Sequence, residues 1–144
     1  MHGYPNNSDD TLDIRNVIER FEELEGDRVN YVLGAPDGTE TPAPELWAEN
    51  EPEDAAEHAA LKSLLDDLKG YGGDHQWEGS WYPVVLVRDD HFREYAEELA
   101  EELHGDAIRK ASWPMNCINW EDAAKELKVD YSTVEFDGVT YWYR

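Results

Sequence analysis

The chain has 144 residues, with 34 Asp and Glu against 12 Lys and Arg, a formal net charge of -22 at pH 7, and an aromatic complement that includes six Trp and eight Tyr. The length suits one globular unit with an N-terminal extension, and the aromatic content separates the chain from acidic disordered tails. Its sign excludes a direct nucleic-acid binder, which needs a basic footprint, and attraction to an anionic membrane surface.

A single cysteine, Cys117, allows no internal disulfide and fits a reducing compartment. No run approaches 18 apolar residues, and MHGYPNNSDD has neither the basic nor the apolar part of a signal peptide. The expectation is a soluble, cytoplasmic protein.

Residues 1–10 carry Gly3, Pro5, Asn6 and Asn7 and read as a flexible lead. Asp10 with Asp13 resembles a helix cap, and Ile14, Val17, Ile18, Phe21 and Leu24 form a helical stripe ending near Gly26. Between Gly34 and Asn50 the glycines and prolines predict a mobile loop. Asn50 as cap, Pro52 in the first turn and the stripe Ala60, Leu61, Leu64, Leu65, Leu68 predict a second helix closed by Gly70. The two helices should pair as an antiparallel hairpin.

Tyr71, Gly72 and Gly73 predict a turn, and Trp81–Val87 is the strongest strand candidate. Pro83 cannot donate to a ladder, so this strand lies at an edge or begins after Pro83. The segment DDHFREYAEELAEEL, residues 89–103, follows as an acidic helix capped by Asp89 or Asp90. Its apolar face is Phe92, Tyr95, Ala96, Leu99 and Leu103. Residues 105–118 are irregular, and Asn119 with Asp122 starts a short helix through Trp120, Ala123, Ala124 and Leu127. Asp137-Gly138 then predicts a two-residue hairpin turn pairing Phe136 with Val139 and Val134 with Tyr141. The fold class is α+β: an N-terminal helical hairpin, an edge strand, the acidic helix, a short helix and a C-terminal β-hairpin in a small antiparallel sheet. Residues 1–70 form the helical extension and 71–144 the α+β domain.

Catalytic and cofactor signatures are absent. The five histidines show no metal-ligand spacing, the segment Asp37–Asp54 lacks the alternation of a calcium loop, and there is no P-loop, GxGxxG or GxSxG. No metal, cofactor or enzymatic activity is expected. His91 reads as a surface residue and Cys117 as a packed thiol. Trp77 and Trp81 read as core or lid residues.

What remains is the charge. Glu94, Glu97, Glu98, Glu101 and Glu102 crowd one side of the acidic helix with Arg93 alone against them, at the cost of the usual i,i+4 pairing. They span eight residue steps of ~1.5 Å, roughly one charge per 2.4 Å, against ~1.7 Å of axis per charge in duplex DNA. The first helix adds Glu19, Glu22 and Glu23. Residues 1–72 carry -13 and 73–144 carry -9, so an acidic domain adapted to concentrated salt, or an adaptor binding through exposed Trp77, Trp81 and Trp142, is the alternative. A small enzyme using His75 beside the Trp-rich stretch is a third reading.

Residues 89–144 resemble the end of the ArdA-type antirestriction family. The matching positions are Tyr95, Ala96, Ile118, Asn119, Trp120, Ala123, Leu127 and Gly138, arranged as an acidic helix, a loop, a short helix and a final hairpin. The resemblance implies a non-enzymatic DNA mimic, carried by phages and mobile elements. Such a protein, often a dimer, blocks the basic DNA-binding groove of a host restriction-modification or other defence complex. Residues 1–80 show no such match.

Overall fold

A computed structural model describes residues 4–106 and 113–144 of the chain. His2 and the start of the lead, and residues 107–112 of the irregular stretch, lie outside the described residues. The fold is α+β. Packing divides the chain into two units, 1–6 with 13–84 and 7–12 with 85–144. The sequence expectation drew its boundary at 70/71. The β-hairpin after the second long helix instead belongs with the helices: the Gly70 N–H donates to the Trp81 carbonyl at 2.9 Å, and Trp77 meets Phe21.

The first unit is built on α1, Ile14–Val29, and α3, Pro52–Leu68. The α1 cap is Asp13, which accepts from the Arg15 N–H, and Asp10 lies before a three-residue strand, β1, Thr11–Asp13. Helix α1 also runs past Gly26 to Val29, because one glycine costs only about 1 kcal/mol against a packed stripe. That stripe buries Ile14, Val17, Ile18 and Leu24, facing the buried Leu61, Leu64, Leu65 and Leu68 of α3. Ion pairs and ring contacts join the helices: Arg20 with Glu57, Glu25 with His58, and Phe21 stacked on His58 at 4.9 Å.

The connection between the helices is ordered where a mobile loop was expected. Strands β2, Val32–Gly34, and β3, Glu40–Pro42, pair antiparallel, followed by a 3₁₀ turn at Pro44–Leu46 and the single-turn helix α2, Trp47–Asn50. Trp47 is buried and anchors this connection edge-on to His58 at 5.5 Å. Asn50 does not cap α3; its amide donates to the Tyr31 hydroxyl at 2.9 Å, and Glu51 takes the cap position without a side-chain bond.

The expected strand 81–87 is divided at Pro83. Before it, β5, Ser80–Tyr82, pairs with β4, His75–Trp77, through a two-residue turn. Gly72 is required here: at φ 101°, a Cβ on it would stand 2.5 Å from the Pro83 nitrogen.

The second unit holds a four-stranded sheet in the order β1-β6-β8-β7, with β6 at Val85–Arg88, β7 at Ser132–Phe136 and β8 at Val139–Tyr143. Strand β6 thus starts after Pro83 and lies inside the sheet rather than at its edge. The β7–β8 register is the expected one, Phe136 opposite Val139 and Val134 opposite Tyr141 around Asp137-Gly138. Helices α4, Phe92–His104, and α5, Trp120–Lys128, cover the face bearing Val87 and Trp142. Asn119 caps α5, accepting from the Glu121 and Asp122 N–H groups.

Candidate functional site

The acidic helix α4 is held from beneath by rings. Phe92 is fully buried and meets Tyr131 edge-on at 5.2 Å, Trp142 at 5.8 Å and Tyr95 at 5.5 Å. Val87, Ala96, Ala124 and Leu127 complete this cluster. Burying the Phe92 ring is worth about 2–3 kcal/mol, and each ring pair adds about 1 kcal/mol. Tyr95 and Tyr131 share a hydroxyl hydrogen bond of 3.0 Å, and burial first, then that bond, pushes the Tyr131 phenol up.

Asp89 does not cap α4. A 3₁₀ turn, Asp89–His91, leads in, and Asp89 instead accepts from the Trp142 indole N–H at 2.8 Å and from Lys128 at 3.2 Å. These donors hold its carboxyl below the usual range, Trp142 foremost. Lys128 also lies 4.7 Å from the Trp142 ring centroid, a cation–π contact. The α4 inner face is therefore locked from both ends of the aromatic cluster, which fixes where its outer face points.

On that outer face the five glutamates separate into two rows. Glu94, Glu98 and Glu102 form an exposed stripe at four-residue spacing, with the half-buried Glu97 and Glu101 beside it. Among the described residues, Glu94, Glu97, Glu98 and Glu102 have no ion-pair or hydrogen-bond partner. Arg93, the base within the segment, turns toward Glu121 of α5 at 3.8 Å. Like charges at i,i+4 destabilise a helix by a few tenths of a kcal/mol per pair. Glu102 near the helix C-terminus also opposes the dipole, by roughly 0.3–1 kcal/mol. The stripe is held out against local electrostatics by the aromatic anchor. Leu103, expected on the apolar face, is 70% exposed; the apolar stripe runs off the cluster at the helix end.

The first-helix glutamates divide differently. Glu19 and Glu22 are exposed and without a partner among the described residues, whereas Glu23 is bonded to Arg20 at 3.1 Å. Glu22 and Glu23 line an open cavity of about 610 Å³ with Asp27, Glu51 and Asp54, beside Trp47 and Tyr31. Glu22 and Glu23 stand on α1, but Glu51 and Asp54 arrive from the cap and first turn of α3. Only the antiparallel pairing of α1 and α3 brings these carboxylates together, and sequence reading did not combine them.

Other expectations are corrected. Cys117 is exposed rather than packed, its Sγ donating toward Asn116 at 3.4 Å. Trp81 is exposed, but Trp77 and Trp142 are partly buried against other rings and do not form an exposed aromatic surface. His91 is mostly covered, with Asp10 3.8 Å away, instead of lying on the surface. His75 is half-buried in β4, opposite Tyr82 in the ladder.

Among the described residues no group of three or more His, Cys, Asp or Glu is arranged to hold a metal ion, and no helix is long and apolar enough to cross a membrane. No family model, curated protein or solved structure matches the chain.

Proposed function

We propose that the protein is a non-enzymatic DNA mimic, similar in its C-terminal part to the ArdA-type antirestriction proteins. It acts inside the host cell by occupying the basic DNA-binding groove of a restriction-modification or other defence complex. The observation that carries this reading is the α4 stripe: Glu94, Glu97, Glu98 and Glu102 at helical spacing, without a partner among the described residues, set on an aromatic base, with the arginine of the segment turned to Glu121. An acid serving only solubility gains by pairing with a base four residues away. Acids kept apart from bases keep their full charge for an incoming cation, and a cationic groove would be drawn to them at long range. Glu94, Glu97, Glu98, Glu101 and Glu102 replace phosphates, and Glu19, Glu22 and Glu23 give the first unit its own acidic surface.

The reading is tested by immobilising the protein, passing a host lysate over it at low salt, and eluting with duplex DNA. Retention of a DNA-binding complex that DNA displaces, and that the Gln variant at the five α4 positions fails to retain, is the expected result. A retained complex indifferent to DNA, or to the five substitutions, contradicts it. If folding itself requires molar salt, the salt-adapted reading replaces this one.

A further inference from the structure

The β4–β5 hairpin turns through Glu78 and Gly79, both at positive φ, 49° and 79°. Glycine is at ease there, but a glutamate is strained, and strained residues cluster where a chain positions a functional group. Glu78 lies on the wall of a cavity of about 200 Å³ within the first unit.

Three rings form part of that cavity. Trp77 stands edge-on to Phe21 at 6.0 Å and 84°, and is tilted against Tyr82 at 5.9 Å and 58°. Tyr82 is only 3% exposed, and its hydroxyl, which keeps some contact with solvent, has no hydrogen-bond partner among the described residues. Burial raises this phenol first, and then the carboxylates of Asp66 and Glu78. Both belong to the cavity wall, as does Tyr82 itself.

The charges around the cavity balance, unlike those of the rest of the chain. Lys62 is bonded to Asp66 at 3.0 Å. That leaves Lys69 and Glu78, one cation and one anion, without an ion-pair partner among the described residues. The volume is below the ~300–1,000 Å³ of pockets for drug-sized molecules, so the occupant is one ring with a short polar arm. An aromatic acid would leave Glu78 uncompensated, and an aromatic amine would leave Lys69.

We propose that this cavity binds a free aromatic amino acid. The ring sits among Phe21, Trp77 and Tyr82, the carboxylate faces Lys69, the ammonium faces Glu78, and the Tyr82 hydroxyl donates to the ligand. This inference is independent of the α4 surface.

The test is calorimetric titration of the full chain with L-phenylalanine, with the Trp77 indole N–H followed by NMR. Saturable one-to-one binding with a shift of that indole is expected. 3-Phenylpropionate, phenethylamine and L-leucine should each bind at least about tenfold more weakly, the equivalent of one charge-assisted contact or the ring. Glu78→Gly should hold or raise the thermal midpoint while weakening L-phenylalanine about tenfold and leaving 3-phenylpropionate unchanged. Lys69→Met should do the converse, sparing phenethylamine. A hairpin needed only for folding would not split the ligands in this way. Absence of saturable binding at millimolar L-phenylalanine overturns the proposal, as does equal binding of L-phenylalanine, the acid and the amine.

Discussion

The α1–α3 pair and α4 use the same residue type for opposite ends. Between α1 and α3, glutamates are engaged: Arg20 bridges Glu23 and Glu57, and Glu25 meets both Arg28 and His58. On α4, Glu94, Glu97, Glu98 and Glu102 have no partner among the described residues, while rings do the fastening. Acidity alone therefore says little about role. What separates a fastening carboxylate from a presenting one is whether a cation has been brought within reach of it, as Arg20, Arg28 and His58 are for Glu23, Glu57 and Glu25 but not for Glu19 and Glu22 of the same unit.

The largest effect expected from disturbing this contrast is on the ring-fastened side. Phe92→Ala should cost about 3–5 kcal/mol in denaturant unfolding, and by about the same amount at low and high salt, because no charge is removed. Arg20→Ala should cost less, about 2 kcal/mol, by leaving the partly covered Glu57 without its bidentate partner. That loss should shrink as added salt screens the carboxylates left behind. If both variants respond identically to salt, the distinction between ring fastening and ion-pair fastening fails. Asn119→Ala should follow at about 1 kcal/mol through loss of the α5 cap.

The pH dependence sharpens the same comparison. The carboxyl of Glu25 is held below its ordinary range by Arg28 first and His58 next. Its contribution is therefore fully present above the unfolded value of about 4.3 and is lost as pH falls through the lower folded value. Glu25→Gln should flatten the acid side of the stability curve and leave the neutral side unchanged in slope, as read by thermal melts at stepped pH. Smallest of all, Glu98→Gln should stabilise the fold by a few tenths of a kcal/mol by removing two like-charge i,i+4 contacts.

Much of this was legible in the residues. The α1 and α3 stripes, the Asn119 cap and the Asp137-Gly138 register depend on neighbours a few positions apart, so periodicity and turn chemistry suffice. Features decided by distant partners were not. Asp89 looks like a helix cap until β8 brings the Trp142 indole to it. Pro83 divides a run of strand formers because its two sides pair with different strands. Asn50 gives up the cap for the Tyr31 hydroxyl. The α4 glutamates could be named from spacing, but the lack of a partner for Glu94, Glu97, Glu98 and Glu102 among the described residues, and the turning of Arg93 to Glu121, required α5 in place. The cavity beside Glu78 draws on α1, α3 and a hairpin, and its strained turn leaves no mark in the sequence beyond a Glu-Gly pair.

The central claim is that the α4 stripe, and not overall acidity, is the working surface. It is tested by comparing two charge-matched variants for retention of a DNA-displaceable complex: Gln at Glu94, Glu97, Glu98, Glu101 and Glu102, against Gln at Glu45, Glu49, Glu53, Glu126 and Glu135. Both remove the same formal charge. The account predicts that the first set abolishes retention while the second weakens it only slightly at low salt. Equal losses from the two sets, or retention surviving the first, would contradict it.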